Sequence, residues 1–321
     1  MGMLIEGKWS PDSARRDEKG RFLRSETVFR DRITADGSSG FRAEEGRYHL
    51  FVSLACPWAH RTMILRKLKG LETSVSASVV APLMTEKGWE FPAGEGMIPK
   101  GLNGREFLWE VYLAARPDYT GRASVPVLWD KQRATIVNNE SAEIVRMLDT
   151  EFDGLGGTCD PFYPGALRRK IDETIEAIYH PINNGVYRAG FAATQEAYEE
   201  AVGELFTALD HWEGVLDTQR YLCGQEITEA DWFLFTTLIR FDVVYYSHFK
   251  CNLRRIVDYP NLWNYLRELY QVPGVAETCD FDHIKRHYYW SHESINPTRI
   301  VPQGPVIDFG QPHDRARKKY A

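Results

Sequence analysis

The feature that most constrains the fold is the order of strand-like and helix-like segments between residues 48 and 148. Six segments carry an apolar pattern typical of a strand or a helix. In chain order they are strand 48–53, helix 58–69, strand 75–80, strand 125–129, strand 135–137 and a helix that begins near residue 139. The connection over 82–122 is long, and a short helix is predicted in it over 104–115. The order is therefore β-α-β, a long connection, and β-β-α.

This order matches a thioredoxin-like domain, in which a parallel βαβ unit joins an antiparallel ββ pair. We predict this α/β domain over residues 47–153. A break rich in glycine and proline follows, and beyond it the patterns indicate an all-helical C-terminal domain over 164–290. The polar residues 1–46 predict an irregular N-terminal extension, and the proline-rich residues 291–321 predict a tail that lies over the surface.

Charge and apolar content exclude several classes of partner. The chain has 39 lysines and arginines against 45 aspartates and glutamates, a net charge of −6. This balance predicts no binding to nucleic acid, which requires a broad basic surface. No apolar run reaches the roughly 18 residues that span a bilayer, and the N-terminus lacks a signal-peptide pattern. We therefore expect a cytoplasmic protein that does not bind membranes.

One of the five cysteines, Cys56, lies where the first long strand meets a helix. Pro57 suits the first helical turn, so Cys56 is at the positive end of the helix, where a thiolate is favoured over a thiol. The residue three positions on is Ala59, so an external thiol must resolve any mixed disulfide on Cys56. The alternative is a small buried residue at a helix start. His60 could support the thiolate, but we expect its ring to pack within the helix.

Two further segments of the α/β domain suit a peptide ligand. Pro126 begins a strand, where a cis peptide bond would leave the backbone N–H and C=O of Val125 to pair with a ligand. A trans proline at a strand start is the ordinary alternative. Glu140 and Ser141 open the last helix of the domain and suit the ammonium and carboxylate of a γ-glutamyl group. They can equally be simple helix caps.

These features occur in the order of a glutathione site, and the whole chain resembles one family. It is similar to the glutathionyl-hydroquinone reductases, the Xi class of glutathione transferases, which are related to the Omega class. The motifs that carry the resemblance are those of residues 6–9, 56–61, 88–92, 121–130, 138–141, 184–187, 283–289 and 295–297.

The resemblance implies a reaction that uses glutathione as a co-substrate and no metal. Cys56 would attack the sulfur of an aromatic glutathionyl conjugate, and a second glutathione would then release oxidised glutathione from Cys56. The glutathione contacts that it implies are Trp89, Arg122, Ala123, Ser124, Val125, Glu140 and Ser141. Read without the resemblance, Trp89 is an apolar anchor within its loop. Members of the family are typically homodimers, so a homodimer is expected.

The resemblance also selects three of the sixteen tyrosines. It implies that Tyr187 is the proton donor and acceptor at the ring carbon. It implies that Tyr245 and Tyr288 donate hydrogen bonds to the thiolate and lower the cysteine pKa. Tyr246 and Tyr289 are their immediate neighbours, and aromatic residues on helices usually belong to the core.

Two alternatives remain open from the sequence. The first is an Omega-like transferase with thiol-transferase or dehydroascorbate reductase activity, which would share the Cys-Pro helix start. The second is a transferase-like interaction domain without catalysis, which would not need a reactive Cys56. The physiological quinone and the role of the tail are not determined by the sequence.

Overall fold

The computed structural model describes residues 2–11, 16–92, 98–156 and 160–315. These residues form two compact units. The first unit contains residues up to 11 and from 24 to 160. The second contains 16–23 and the chain from 161 onward. In the described part of the chain, no helix is long and apolar enough to cross a membrane.

The first unit is built on a four-stranded sheet. Its elements are β1 (Met3–Ile5), β2 (Lys8–Ser10), β3 (Ile33–Thr34), β4 (Phe41–Arg42), β5 (Tyr48–Val52), α1 (Pro57–Leu68), β6 (Val75–Val79), α2 (Leu108–Ala115), β7 (Val127–Asp130), β8 (Thr135–Asn138) and α3 (Ser141–Thr150). The sheet order is β6-β5-β7-β8, with β5 parallel to β6 and the other neighbours antiparallel. The predicted thioredoxin-like arrangement is therefore confirmed.

The N-terminal residues differ from the irregular extension that the sequence predicts. β1 pairs with β2, and β3 pairs with β4. Leu4 is fully buried and exchanges two backbone hydrogen bonds with Gly121, while Ile33 is fully buried beside Met147. These apolar side chains pack into the first unit, because burying them removes apolar surface from water. Polar composition alone did not indicate this, since the buried residues are few and widely spaced.

The predicted helix over 104–115 begins later in the structure, at Leu108. The carboxylate of Glu110 accepts hydrogen bonds from the backbone N–H groups of Glu106 and Phe107, at 2.7 and 2.9 Å. This interaction satisfies donors that precede the helix and fixes its first turn. The side chain of Glu110 therefore sets the start of α2.

The second unit is built from helices. They are α4 (Arg168–Ile178), α5 (Gly185–Gly190), α6 (Gln195–Thr218), α7 (Glu229–Arg240), α8 (Tyr246–His248), α9 (Pro260–Tyr270) and α10 (Phe281–Ser291). Two π-helical segments, Tyr179–Asn183 and Phe241–Tyr245, interrupt the helical path before α5 and before α8. A capping box begins α7: Asp231 accepts from the backbone N–H of Thr228 at 2.7 Å. Every residue of α7 is buried.

The tail is held by a buried arginine near the end of the described chain. The Arg315 guanidinium is 1% exposed, and its Nε donates to Glu268 Oε2 at 2.8 Å. It also donates to the carbonyl oxygens of Leu216 and Gln219, at 3.5 and 3.3 Å. Arg315 therefore anchors the described part of the tail in the helical packing, while most of residues 293–314 remain at the surface.

We expect Arg315→Ala to lower the free energy of unfolding by about 3 kcal/mol, because it leaves the Glu268 carboxylate buried with fewer partners. Urea unfolding followed by circular dichroism measures the change. The control is Arg299→Ala, which removes an exposed pair with Glu293 and should cost less than about 1 kcal/mol. Equal effects of the two substitutions would contradict the anchoring role of Arg315.

Candidate active site

Cys56 is the residue from which α1 starts. Its backbone is extended, with φ −78° and ψ 119°, and Pro57 is the first helical residue. The carbonyl of Cys56 accepts the first bond of the helix, from the N–H of His60 at 2.9 Å. The side chain is partly exposed, and Sγ lies 3.6 Å from the carbonyl oxygen of Val125. A thiol at this end of a helix is favoured as the thiolate by the helix dipole.

The other cysteines of the described chain lie in settings that favour the thiol. Cys223 and Cys251 are buried, and burial raises the pKa of each. Burial also raises the pKa of Cys279, to about 11. Cys159 lies outside the described residues. Cys56 is therefore the described cysteine whose position suits a nucleophile.

The first turns of α1 also carry positive charge. His60 is 1% exposed, as expected for a ring that packs within the helix. The guanidinium carbons of Arg24 and Arg61 lie 4.1 and 4.4 Å from the ring centroid of Trp58. Cations over an indole ring are stabilised by its electron-rich face. Arg24 and Arg61 therefore place two positive charges around Trp58, in the first turn of the helix that starts at Cys56.

The segment after Gly121 runs beside Cys56. The Val125–Pro126 peptide is cis, as the sequence suggested. The carbonyl of Val125, expected to pair with a ligand, faces the Cys56 thiol. The carbonyl of Arg122 accepts from the Tyr119 hydroxyl at 3.2 Å. The residues predicted as ligand contacts here, Arg122, Ala123, Ser124 and Val125, therefore form one backbone segment whose last residue, Val125, lies next to the thiol.

Glu140 caps α3, as the simpler interpretation predicts. Its carboxylate accepts from the N–H of Ala142 at 3.4 Å and from the Thr27 hydroxyl at 3.2 Å. Ser141, the first residue of α3, is 3% exposed. The Glu140 carboxylate remains partly exposed. The backbone N–H groups at the start of α3 would also stabilise an anionic group of a ligand.

Trp89 is 6% exposed, in agreement with the interpretation of an apolar anchor. Its carbonyl accepts from the N–H of Leu108 at 2.9 Å, which ties it to the start of α2. Trp89 therefore offers little surface to a ligand.

The three tyrosines that the resemblance selects meet in the second unit. Tyr288 Oη lies 2.5 Å from Tyr187 Oη and 3.0 Å from Tyr245 Oη. Tyr288 is buried, and burial together with the two neighbouring tyrosines raises its pKa well above the ordinary value. Its hydroxyl therefore stays protonated at neutral pH. The three hydroxyls form a hydrogen-bonded chain with Tyr288 in the middle.

Their sequence neighbours lie elsewhere. The Tyr289 hydroxyl contacts the hydroxyl of Ser247, and Tyr289 lines a cavity of about 520 Å³ together with Tyr246. That cavity is bounded by the tail over residues 302–308. The structure thus separates Tyr245 and Tyr288 from Tyr246 and Tyr289.

The sequence did not show how the tyrosines are positioned. Tyr245 ends one π-helical segment, and Tyr187 follows the other. The Asn183 side chain donates to the Phe233 carbonyl at 3.0 Å and to the Thr237 hydroxyl at 2.8 Å. These bonds hold the π-helical segment Tyr179–Asn183 against α7. π-Helical turns depend on such tertiary contacts and are frequent at functional sites.

The chain matches two family models. Residues 55–151 match the glutathione S-transferase N-terminal domain, and residues 195–268 match the C-terminal domain. It is 54% identical to the glutathionyl-hydroquinone reductase YqjG of Escherichia coli K12 over 98% of each chain. It is 50% identical to the glutathionyl-hydroquinone reductase PcpF of Sphingobium chlorophenolicum, over 95% of this chain and 97% of that protein.

Solved structures are similar over the same length. The Xi-class glutathione transferase of Natrialba magadii is 52% identical with a TM-score of 0.91, covering 99% of this chain and 97% of its own. Glutathione-bound YqjG of Escherichia coli K-12 is 52% identical with a TM-score of 0.89, covering 98% and 99%.

Proposed function

The chain belongs to the glutathione S-transferase family, among its glutathionyl-hydroquinone reductases, and on this premise we propose that Cys56 carries the reaction. The activity is the glutathione-dependent reduction of glutathionyl-hydroquinones to hydroquinones. The observation that carries the proposal is the place of Cys56 at the start of α1, partly exposed and beside Val125.

In the first step, the Cys56 thiolate attacks the sulfur of the glutathionyl-hydroquinone. A sulfur–sulfur bond forms, the bond between sulfur and the ring carbon breaks, and its electron pair goes to that carbon. The carbon takes up a proton, for which we propose Tyr187 as the donor. The products are the hydroquinone and a mixed disulfide between Cys56 and glutathione.

In the second step, a second glutathione gives up its thiol proton and attacks the glutathionyl sulfur of the mixed disulfide. Oxidised glutathione leaves, and the Cys56 thiolate is restored. Over both steps, the ring gains two electrons and the two glutathione sulfurs are oxidised to a disulfide. The proton that the ring carbon takes up is balanced by the proton that the second glutathione thiol releases. No second cysteine is needed, in agreement with Ala59 three residues after Cys56.

We propose that the glutathione contacts are those given by the family resemblance. The guanidinium of Arg122 suits a carboxylate, and the backbone of Val125 suits pairing with the tripeptide. Glu140 and Ser141 at the start of α3 suit the γ-glutamyl end. Ala123, Ser124 and Trp89 complete this set. Tyr245 and Tyr288 are proposed to support the thiolate as hydrogen-bond donors.

The proposal extends to assembly and location. We propose a cytoplasmic homodimer, because members of the resembled family are typically homodimers. Light scattering coupled to size exclusion measures the mass: twice the chain mass is expected, and the mass of one chain would contradict the dimer.

The test is to incubate the protein and reduced glutathione with a glutathionyl-hydroquinone. We expect hydroquinone and oxidised glutathione to appear in equal amounts, as chromatography measures. Folded protein that releases no hydroquinone would contradict the proposal. Relatives in Schizosaccharomyces pombe and Saccharomyces cerevisiae are named omega-like glutathione S-transferases. The rate on a small mixed disulfide is therefore measured alongside the rate on the glutathionyl-hydroquinone. A much faster rate on that substrate would favour a thiol transferase.

A further inference from the structure

The hydroxyl of Tyr112 lies where two of the proposed glutathione segments meet. It donates to the carbonyl oxygen of Ser124 at 2.7 Å and accepts from the N–H of Ser124 at 3.2 Å. It also accepts from the side-chain amide of Asn139 at 3.1 Å. A tyrosine hydroxyl has one donor and two acceptor positions, so the bonding capacity of this one is fully used.

The same contact network fixes both segments in place. Ser124 directly precedes Val125, whose carbonyl oxygen is 3.6 Å from Cys56 Sγ. Asn139 directly precedes Glu140, the cap of α3, and its side-chain oxygen accepts from the N–H of Phe29 at 3.2 Å. Tyr112 therefore sets the spacing between the backbone beside the thiol and the start of α3.

A third proposed segment is tied to the same helix. Tyr112 lies on α2, whose first N–H, that of Leu108, donates to the carbonyl of Trp89. The ring of Tyr112 packs against those of Phe29 and Tyr119, with centroids 5.8 and 5.1 Å away. The hydroxyl is buried, and burial raises its pKa, so it remains a neutral donor. Helix α2 thus joins the segments of Trp89, Ser124 and Asn139.

We propose that Tyr112 is a positioning residue for glutathione, acting through Ser124 and Asn139 without touching the ligand. This inference rests on the proposed function. Its physical basis is preorganisation: a site whose segments are held in the binding geometry does not lose free energy in ordering them when the ligand arrives. Removing the hydroxyl leaves three polar groups short of a partner, the buried amide of Asn139 and the partly buried N–H and carbonyl of Ser124, and the segments then rearrange to regain hydrogen bonds.

The test is Tyr112→Phe, which keeps the ring and removes the hydroxyl. Binding of reduced glutathione is measured by calorimetry in a Cys56→Ser background, where no mixed disulfide can form. We expect the Kd to rise about tenfold. In the enzyme with Cys56, we expect KM for glutathione to rise while kcat at saturation stays within about twofold.

The matched control is Tyr48→Phe. Tyr48 is fully buried in the same unit, and its hydroxyl donates to the Arg42 carbonyl at 2.6 Å, away from the proposed contacts. This variant loses a buried hydroxyl but should keep the parent Kd for glutathione. In the versions of both variants that keep Cys56, alkylation of this residue by iodoacetamide, which needs no glutathione contacts, should proceed at the rate of the parent enzyme.

Equal Kd values for Tyr112→Phe and its parent would overturn the inference. Failure of the parent itself to bind glutathione would instead overturn the proposed function and this inference with it. If Tyr112→Phe does not fold, Asn139→Asp replaces it in the same Cys56→Ser background. This variant removes the amide that donates to the Tyr112 hydroxyl and keeps the side-chain oxygen that accepts from the N–H of Phe29, so the Kd should rise about threefold, and an unchanged Kd would overturn the inference.

Discussion

Cys56→Ser is expected to lower kcat for glutathionyl-hydroquinone reduction by at least about a thousandfold, because a hydroxyl is a far poorer nucleophile toward sulfur than a thiolate. The two side chains are nearly isosteric, and Cys56 is only partly exposed at a helix start, where serine is a favoured cap. The fold and the affinity for glutathione should therefore remain. Hydroquinone release measured by chromatography, with circular dichroism as the check of folding, decides the outcome.

The control for this prediction is Cys279→Ser. Burial raises the pKa of Cys279 to about 11, so this residue is a thiol at neutral pH and its replacement should leave kcat unchanged. Full activity of Cys56→Ser would show that another residue is the nucleophile. A comparable loss in both variants would point to damage of the fold.

Tyr187→Phe is expected to lower kcat by about a hundredfold or more, the usual contribution of a positioned general acid. The phenyl ring keeps the packing against Phe249, whose ring centroid is 5.5 Å away, so the loss is that of the hydroxyl. The ring carbon then has to take its proton from solvent. Formation of the mixed disulfide and release of hydroquinone should slow together, as stopped-flow and quenched samples would measure.

The matched control is Tyr289→Phe. Tyr289 is a buried tyrosine of the second unit with a hydroxyl partner, Ser247, and it lies outside the chain of three hydroxyls. We expect kcat to remain near that of the parent. Equal activities of Tyr187→Phe and Tyr289→Phe would remove Tyr187 from the proposed mechanism.

Much of the fold is predictable because the signals are local. The alternation of β6 and the buried run of β5 appear within five residues each, so the order β-α-β and β-β-α follows from the sequence. The start of α2 was placed too early because it depends on the side chain of Glu110 reaching back to two N–H groups. The burial of Leu4 and Ile33 depends on partners more than a hundred residues away, Gly121 and Met147.

The residues of the candidate site also divide into those that local sequence indicates and those that depend on partners far along the chain. The position of Cys56 at a helix start was predicted from the sequence and is confirmed, since a strand, a cysteine and Pro57 follow one another in the chain. The tyrosines required the family resemblance, because the partners of the Tyr288 hydroxyl are 43 and 101 residues away along the chain. Tyr112 was missed for the same reason: its partners, Ser124 and Asn139, lie in other segments, and nothing in α2 marks this residue.

The most direct test of the central claim is the intact mass of the protein after one turnover with a glutathionyl-hydroquinone and no added thiol. We predict one glutathionyl group per chain, located on the peptide that contains Cys56, in an amount equal to the hydroquinone released. Added reduced glutathione should then remove the group as oxidised glutathione. Release of hydroquinone while Cys56 stays unmodified would contradict the account.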